Sequence, residues 1–204
     1  MLFQSLSSDG IDAFYDVESI GAGHFDTIIL NQIAWRPYFL PVLTHLTLDK
    51  CVEPEDWVRR EIEQAVATGR TIVPIFAPSF DFDDVKRFLP AEAAQEVARS
   101  NGVTVPPESF DSAIERLITK ILVPVPVGAT TPPAAEATLA ESVRQQASAL
   151  PPVTAAQMTA QLYYEQASAR AENDIDGLLA DYSQAIAHLP TYGAAYYRRG
   201  IVRS

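Results

Sequence analysis

Basic residues are scarce in this chain. Its 204 residues include 15 Lys and Arg against 26 Asp and Glu, which gives a formal net charge of −11. A protein that binds a phosphate backbone needs a basic face, so this balance argues against nucleic acid as a partner. Long apolar runs are missing too: residues 38–43, interrupted by Pro41, fall far short of the ~20 residues that cross a bilayer. The first residues carry neither a basic stretch nor a long apolar one, so we expect no signal peptide and no membrane partner.

Cysteine is nearly absent as well. The single Cys51 allows no disulfide within the chain and fits a reducing compartment, so a cytoplasmic location is expected. No His, Asp or Asn is placed by the sequence to activate this thiol. We therefore predict that Cys51 is a small, partly buried side chain and not a nucleophile.

Clusters of metal ligands are also missing from the sequence. The three histidines, His24, His45 and His188, are too far apart to suggest a metal site, and none is predicted. Acidic residues do cluster at positions 81, 83 and 84, but without the spacing of a cation-binding loop. A solvated acidic face is the prediction there.

What is present is an alternation of helix and strand patterns. Residues 11–16 form a short β-like run, and residues 25–35 have the apolar spacing of a helix that packs on a sheet. Residues 38–44 and 71–77 are nearly continuous apolar runs, as in parallel strands covered on both faces. An amphipathic helix is predicted over residues 109–123. This order indicates an α/β fold with a doubly wound parallel sheet.

The composition changes after residue 124. Residues 125–153 are rich in Pro, Ala and Thr and are predicted to be a linker. In residues 154–204, Tyr163 and Tyr197 lie 34 positions apart, as do Gln166 and Gly200. This spacing resembles that of tetratricopeptide (TPR) repeats, which implies all-α packing and a peptide or protein partner. An Ala-rich helical hairpin unrelated to TPRs is the alternative.

The most informative stretch is residues 51–65, CVEPEDWVRREIEQA. Asp56 is a predicted helix N-cap, and Trp57 and Glu61 then lie one turn apart on one face of the helix. An indole beside a carboxylate can form a small, half-dry pocket that holds one negative charge. In the alternative interpretation, Trp57 is only a core anchor and Glu61 is a solvated partner of an arginine such as Arg60.

The surrounding segments favour the first interpretation. They are, in chain order, residues 14–25 (FYDVESIGAGHF), 38–44 (YFLPVLT), 48–51 (LDKC), 56–62 (DWVRREI) and 71–76 (TIVPIF). Together they resemble a TIR domain over residues 2–123, most closely the branch with bacterial TIR proteins and animal NAD hydrolases. The resemblance implies a flavodoxin-like parallel sheet over residues 1–124. Because the chain starts inside the first helix of that pattern, we expect the opening strand, the central one of the sheet, to be missing.

The resemblance also implies an activity, which is cleavage of the nicotinamide–ribose bond of NAD⁺ as substrate, with no cofactor. In that family the Glu of W-x-x-x-E is catalytic, which corresponds to Glu61. The implied substrate-binding residues are Asp16, Val17, Glu18, Phe25 and Trp57. The loop of residues 17–24 would close over the substrate, although Asp16 and Glu18 as solvated loop carboxylates are an open alternative. Self-association through TIR surfaces would gate the reaction; an inactive TIR/TPR scaffold is the competing hypothesis.

Overall fold

The computed structural model describes most of the chain. The described residues are 2–14, 25–44, 46–78, 80–122, 138, 141, 142, 145, 149, 151, 153–171 and 173–203, and the side chains of Phe25 and Asp26 are not among them. Within this part of the chain the protein is a mixed α/β structure followed by a helical segment.

Short parallel strands form the centre of the α/β part. β1 (Tyr38–Phe39) pairs with β3 (Thr71–Ile72), and β2 (Val42–Leu43) pairs with β4 (Ile75–Phe76), which also pairs with β5 (Val103–Thr104). We call residues 38–43 the edge strand and residues 71–76 the central strand. Each lacks one ladder N–H because of its proline, at position 41 or 74, so each is divided into two short pieces. The parallel pairing predicted from the sequence is confirmed.

Helices flank these strands. They are α1 (Leu2–Ser8), α2 (Phe25–Trp35), α3 (Trp57–Ala67), α4 (Asp83–Phe88), α5 (Ala91–Arg99) and α6 (Phe110–Arg116), which continues into a π-helical turn (Leu117–Ile121). The helix predicted over residues 25–35 is confirmed, and the one over residues 109–123 is confirmed in most of its length.

The sheet is covered on both faces, which explains why its strands are apolar throughout. One core, which includes Leu43 and Ile62, lies between the sheet and α2, α3 and α5. A second core, which includes Leu6, Val73 and Leu117, lies on the other face with α1 and α6. A strand buried on both sides needs apolar residues at successive positions.

The β-like run predicted over residues 11–16 is wrong for residues 11–14, which are the part of it that the structure describes. Residues 11–14 form no strand. Ile11 and Ala13 pack against the second core and Phe14 packs against the first, as alternate residues of a strand would. However, a strand also needs a hydrogen-bonded neighbour, and no described strand pairs with this segment.

The acidic cluster was predicted correctly at two of its positions only. Asp81 and Asp83 are exposed, and the Asp81 carboxylate accepts a hydrogen bond from the backbone N–H of Asp83 at 2.9 Å. Asp84, in contrast, is buried with 5% of its surface exposed. It lies in the first turn of α4, where the position of a residue around the helix axis decides whether it faces the core, whatever its charge.

The C-terminal segment is helical. Its helices are α7 (Ala155–Ala169), α8 (Ile175–His188) and α9 (Gly193–Val202), and Thr154 begins the first with a capping box. Ala167, Ala185 and Ala195 are fully buried in the core between these helices, where small side chains allow close packing. Met158 of α7 packs against the second core of the α/β part. None of the described helices combines the length and the apolar character that a membrane crossing requires.

Candidate active site

The candidate site lies at the start of α3, in the connection that leaves the carboxyl end of the edge strand. Carboxyl ends of parallel strands are the usual location of binding sites in open α/β sheets. Asp56 is the N-cap, as predicted, and its carboxylate accepts a hydrogen bond from the backbone N–H of Arg59 at 3.0 Å. This bond satisfies one of the backbone donors that a helix leaves open at its start.

The side chain of Arg59 links the loop before the helix, at Cys51 and Val52, to α3. Its guanidinium donates to the backbone carbonyls of Cys51 at 3.4 Å and Val52 at 3.1 Å. The same group pairs with Glu63 one turn further along the helix at 2.8 Å. The start of α3 is therefore held on both sides, which fixes the position of the first two helical turns.

Trp57 and Glu61 lie on these first two turns, and both side chains are partly buried. The indole of Trp57 packs against the first core, while the Arg60 guanidinium carbon lies 5.0 Å from the indole ring centroid. Ile62 is fully buried, which fixes the face of α3 that packs against the core. Trp57 is thus an anchor of the core, as the alternative interpretation predicted, and it precedes Glu61 by one turn of α3.

The surroundings of Cys51 disfavour its thiolate form. Its side chain is fully buried and not partly buried as predicted, and the thiol donates a hydrogen bond to the Asp56 carboxylate at 3.1 Å. Burial, followed by this bond and by the negative charge of Asp56, raises the pKa of Cys51 from 9.0 to about 12. The reactive species of cysteine is the thiolate, so these contacts agree with the prediction that Cys51 is not a nucleophile.

We expect Cys51 to react with a thiol reagent at pH 8 much more slowly in the native protein than in urea, by about 100-fold or more.

The raised pKa of Cys51 also makes the stability of the protein depend on pH. Above pH 9 the unfolded chain loses the thiol proton and the folded chain does not, so stability falls as the pH rises from about 9 to about 12. The Cys51→Ala variant should lose this part of the pH dependence. Equal labelling rates in native and unfolded protein would contradict the buried, protonated thiol.

The side chains of the other predicted substrate-binding residues lie outside the described part of the structure. Asp16, Val17 and Glu18 lie outside the described residues. Phe25 is the first residue of α2, and its side chain is also outside the described part. Their role in binding stays a prediction.

Sequence reasoning missed the contacts that hold the site in place. The bond between Cys51 and Asp56 joins residues five apart across a loop, and no periodic pattern signals such a contact. The Arg59–Glu63 pair did have a signal, the i, i+4 spacing of opposite charges on a helix. The contact of the Arg60 guanidinium with the ring of Trp57 was not predicted either.

Two surface cavities of the described part lie elsewhere. One of about 250 Å³ is lined by Phe76, Phe82 and Lys86 among others, and one of about 310 Å³ by Phe110 and Met158 among others. Neither of these two cavities is lined by Trp57 or Glu61.

Comparison with known proteins finds NAD(+) hydrolases that are similar to part of this chain. NAD(+) hydrolase sarm1 of Drosophila melanogaster is 40% identical over 111 residues, which is 53% of this chain and 8% of that protein. NAD(+) hydrolase tir-1 of Caenorhabditis elegans is 30% identical over 112 residues, 53% of this chain and 11% of that protein. NAD(+) hydrolase SARM1 of Danio rerio is 31% identical over 112 residues, 53% of this chain and 15% of that protein. About half of the chain resembles SARM1-type NAD⁺ hydrolases.

The similarity covers only a small part of each relative. The chain covers between 8% and 15% of the length of these curated relatives. No protein-family model matches it. The TIR resemblance inferred from the sequence is supported for this half of the chain, whereas its link to bacterial relatives and the TPR resemblance stay predictions.

Proposed function

We propose that the TIR-like part, residues 1–124, is an NAD⁺ nucleosidase that cleaves the nicotinamide–ribose bond, with Glu61 as its catalytic residue. The observation that carries this proposal is the similarity of about half of the chain to NAD⁺ hydrolases. A partly buried carboxylate on a helix face beside Trp57, at the carboxyl end of a parallel sheet, is in keeping with it.

The proposed reaction requires few catalytic groups from the protein. The bond between N1 of nicotinamide and C1′ of ribose breaks, and its electron pair leaves with nicotinamide, which departs as a neutral molecule. Positive charge develops at C1′ and the ring oxygen, as in glycoside cleavage. Water then adds to C1′ and loses a proton, which gives ADP-ribose. A general acid for the leaving group is unnecessary.

Glu61 is the group proposed to stabilise this positive charge. A fixed carboxylate close to C1′ stabilises a cation most strongly where water is excluded, because the local dielectric is low. In the proposed site Trp57 forms one wall, and Asp16, Val17, Glu18 and Phe25 contact the substrate. The rigid start of α3 keeps the carboxylate in position, so the protein need not reorganise during the reaction.

The test is product analysis. Purified protein is incubated with NAD⁺, and the mixture is separated by chromatography over time. The proposal predicts equal amounts of nicotinamide and of ADP-ribose, linear or cyclic. NAD⁺ that stays intact in the presence of demonstrably folded protein would contradict it.

A second function is favoured by a different observation. Among the described residues the edge strand pairs on one side only, and residues 11–14 form no strand beside it. In this alternative the chain is an inactive scaffold, in which the TIR-like part joins TIR partners and the helices of residues 154–204, after the linker of residues 125–153, bind a peptide. The product analysis separates the two, because a scaffold binds partners and leaves NAD⁺ unchanged.

A further inference from the structure

The indole ring of Trp57 carries a cation of the protein itself. Arg60 follows Trp57 by three residues in α3, and its guanidinium carbon lies over the ring, 5.0 Å from the centroid. This is a cation–π contact, and tryptophan is the aromatic residue that makes the strongest ones. Both side chains are partly buried, and Trp57 also packs against the first core. The guanidinium therefore occupies ring surface that the core leaves uncovered.

The start of α3 is held by other groups. Arg59 donates to the carbonyls of Cys51 and Val52 and pairs with Glu63, while the Asp56 carboxylate caps the helix. These contacts persist when the side chain of Arg60 moves, because arginine has a long, flexible stem with many rotamers. The guanidinium can thus leave the ring of Trp57 without loosening the helix.

The proposed substrate brings a second cation to the same place. The nicotinamide ring of NAD⁺ is planar and positively charged, which suits the face of an indole. Its N1 is bonded to C1′, so a carboxylate that stabilises charge at C1′ has the ring next to it. Glu61 follows Trp57 by four residues, and side chains at that spacing on a helix have Cβ atoms about 5–6 Å apart. A ring held beside Glu61 therefore reaches the indole of Trp57.

We propose that Arg60 is a displaceable occupant of Trp57, and that the nicotinamide ring binds by taking the place of the guanidinium on the indole. The two groups exclude each other, because they need the same ring surface and carry the same charge. Arg60 touches none of the reacting atoms in this scheme, so it sets the affinity of the site and takes no part in bond cleavage. The inference rests on the proposed function for the identity of the ligand.

This occupation has a defined effect on kinetics. Substrate and released nicotinamide must displace the same group, so both lose affinity by the same factor. A cation–π contact at a partly exposed site corresponds to about a two- to fivefold preference for the occupied ring. Arg60→Gln should therefore lower KM for NAD⁺ and the inhibition constant of nicotinamide by about this factor. The rate constant kcat should not change, because the cost falls equally on bound substrate and transition state.

The test measures binding of the ring without catalysis. 1-Methylnicotinamide, which has the cationic ring but neither ribose nor phosphate, and neutral nicotinamide are titrated separately into isotope-labelled protein. The indole N–H resonances of Trp57 and Trp35 are followed by NMR, and the variant Trp35→Phe assigns them. The resonance of Trp57 should shift to saturation, and that of Trp35, at the end of α2, should not. In Arg60→Gln both compounds should bind about two- to fivefold more tightly.

Arg87→Gln is the matched control. The guanidinium carbon of Arg87 lies 4.9 Å from the ring centroid of Phe88 in α4. This variant loses the same charge and the same kind of contact at another place, so it should bind both compounds as the unmodified chain does. Circular dichroism of each variant verifies that the fold is unchanged.

Three outcomes would overturn the inference. Equal or weaker binding of both compounds by Arg60→Gln would show that the guanidinium does not compete for the ring. A gain confined to 1-methylnicotinamide would show charge repulsion without occupation of the indole. A Trp57 resonance that does not shift would place the nicotinamide ring elsewhere. All three leave the proposed function intact if NAD⁺ is cleaved, whereas intact NAD⁺ together with the expected binding would contradict the proposed function alone.

Discussion

Replacement of Glu61 by Gln should reduce the rate of nicotinamide release from NAD⁺ by about 10²–10³-fold or more, as loss of a fixed transition-state contact does in other enzymes. Gln keeps the shape of the side chain and its place on α3 but removes the negative charge. The substrate binds before positive charge has developed at C1′, so most of the loss should appear in kcat and little in KM. Stopped-time chromatography at saturating and limiting NAD⁺ measures both constants.

Glu63 offers a matched control for this experiment. It lies on the same helix, and its carboxylate pairs with Arg59 at 2.8 Å. Glu63→Gln removes the same charge two residues away and weakens only a partly exposed ion pair, which is worth about 0–1 kcal/mol. Arg59 keeps its hydrogen bonds to the carbonyls of Cys51 and Val52, so the start of α3 stays attached to the loop. Its turnover should therefore stay within a few-fold of the unmodified chain. Equal turnover by Glu61→Gln and the unmodified chain, or an equal loss in both variants, would exclude Glu61 as the catalytic residue.

Gly102→Ala should cause the largest loss of stability expected from a single added methyl group. A Cβ at position 102 would clash with Cε2 of Phe76 and would lie 2.7 Å from the carbonyl oxygen of Pro74. The first atom belongs to a buried aromatic ring and the second to the backbone of the central strand, so neither moves aside easily. Overpacking of this kind costs about 1–3 kcal/mol. Urea unfolding followed by circular dichroism measures the free-energy difference.

Gly200→Ala is the corresponding control. Gly200 lies inside α9 and would meet no atom within 4 Å of an added Cβ. Alanine is preferred to glycine in a helix interior, so this variant should be as stable as the unmodified chain or more stable by up to ~1 kcal/mol. The same loss in both variants would show that position 102 is not sterically closed.

Much of the fold was predictable where a pattern reflects burial directly. The apolar runs at residues 38–44 and 71–77 predicted parallel strands because both faces of the sheet are covered, and the spacing in residues 25–35 predicted α2. The prediction failed at residues 11–14, where the alternation of side chains is present but no described strand supplies hydrogen bonds. It also failed at Asp84, because the position of a residue on a short helix decides its burial and the charge alone does not.

Local sequence predicted one feature of the candidate site that the structure confirms, which is Asp56 as the N-cap of α3. The roles of Glu61 and Trp57 were inferred from a family resemblance and stay predictions. The contacts of Cys51 with Asp56 and of Arg59 with the loop carbonyls depend on how residues 44–56 fold back on α3. Nothing in a one-dimensional pattern specifies such a loop, so these contacts emerge only from the three-dimensional structure.

Nicotinamide release by the unmodified, purified chain at increasing protein concentration decides between the enzyme and the scaffold. For the enzyme, we expect nicotinamide and ADP-ribose to accumulate together, with a rate per molecule that rises with concentration if self-association completes the site. Folded protein that leaves NAD⁺ intact at the highest concentration would contradict the proposed enzyme and favour the scaffold.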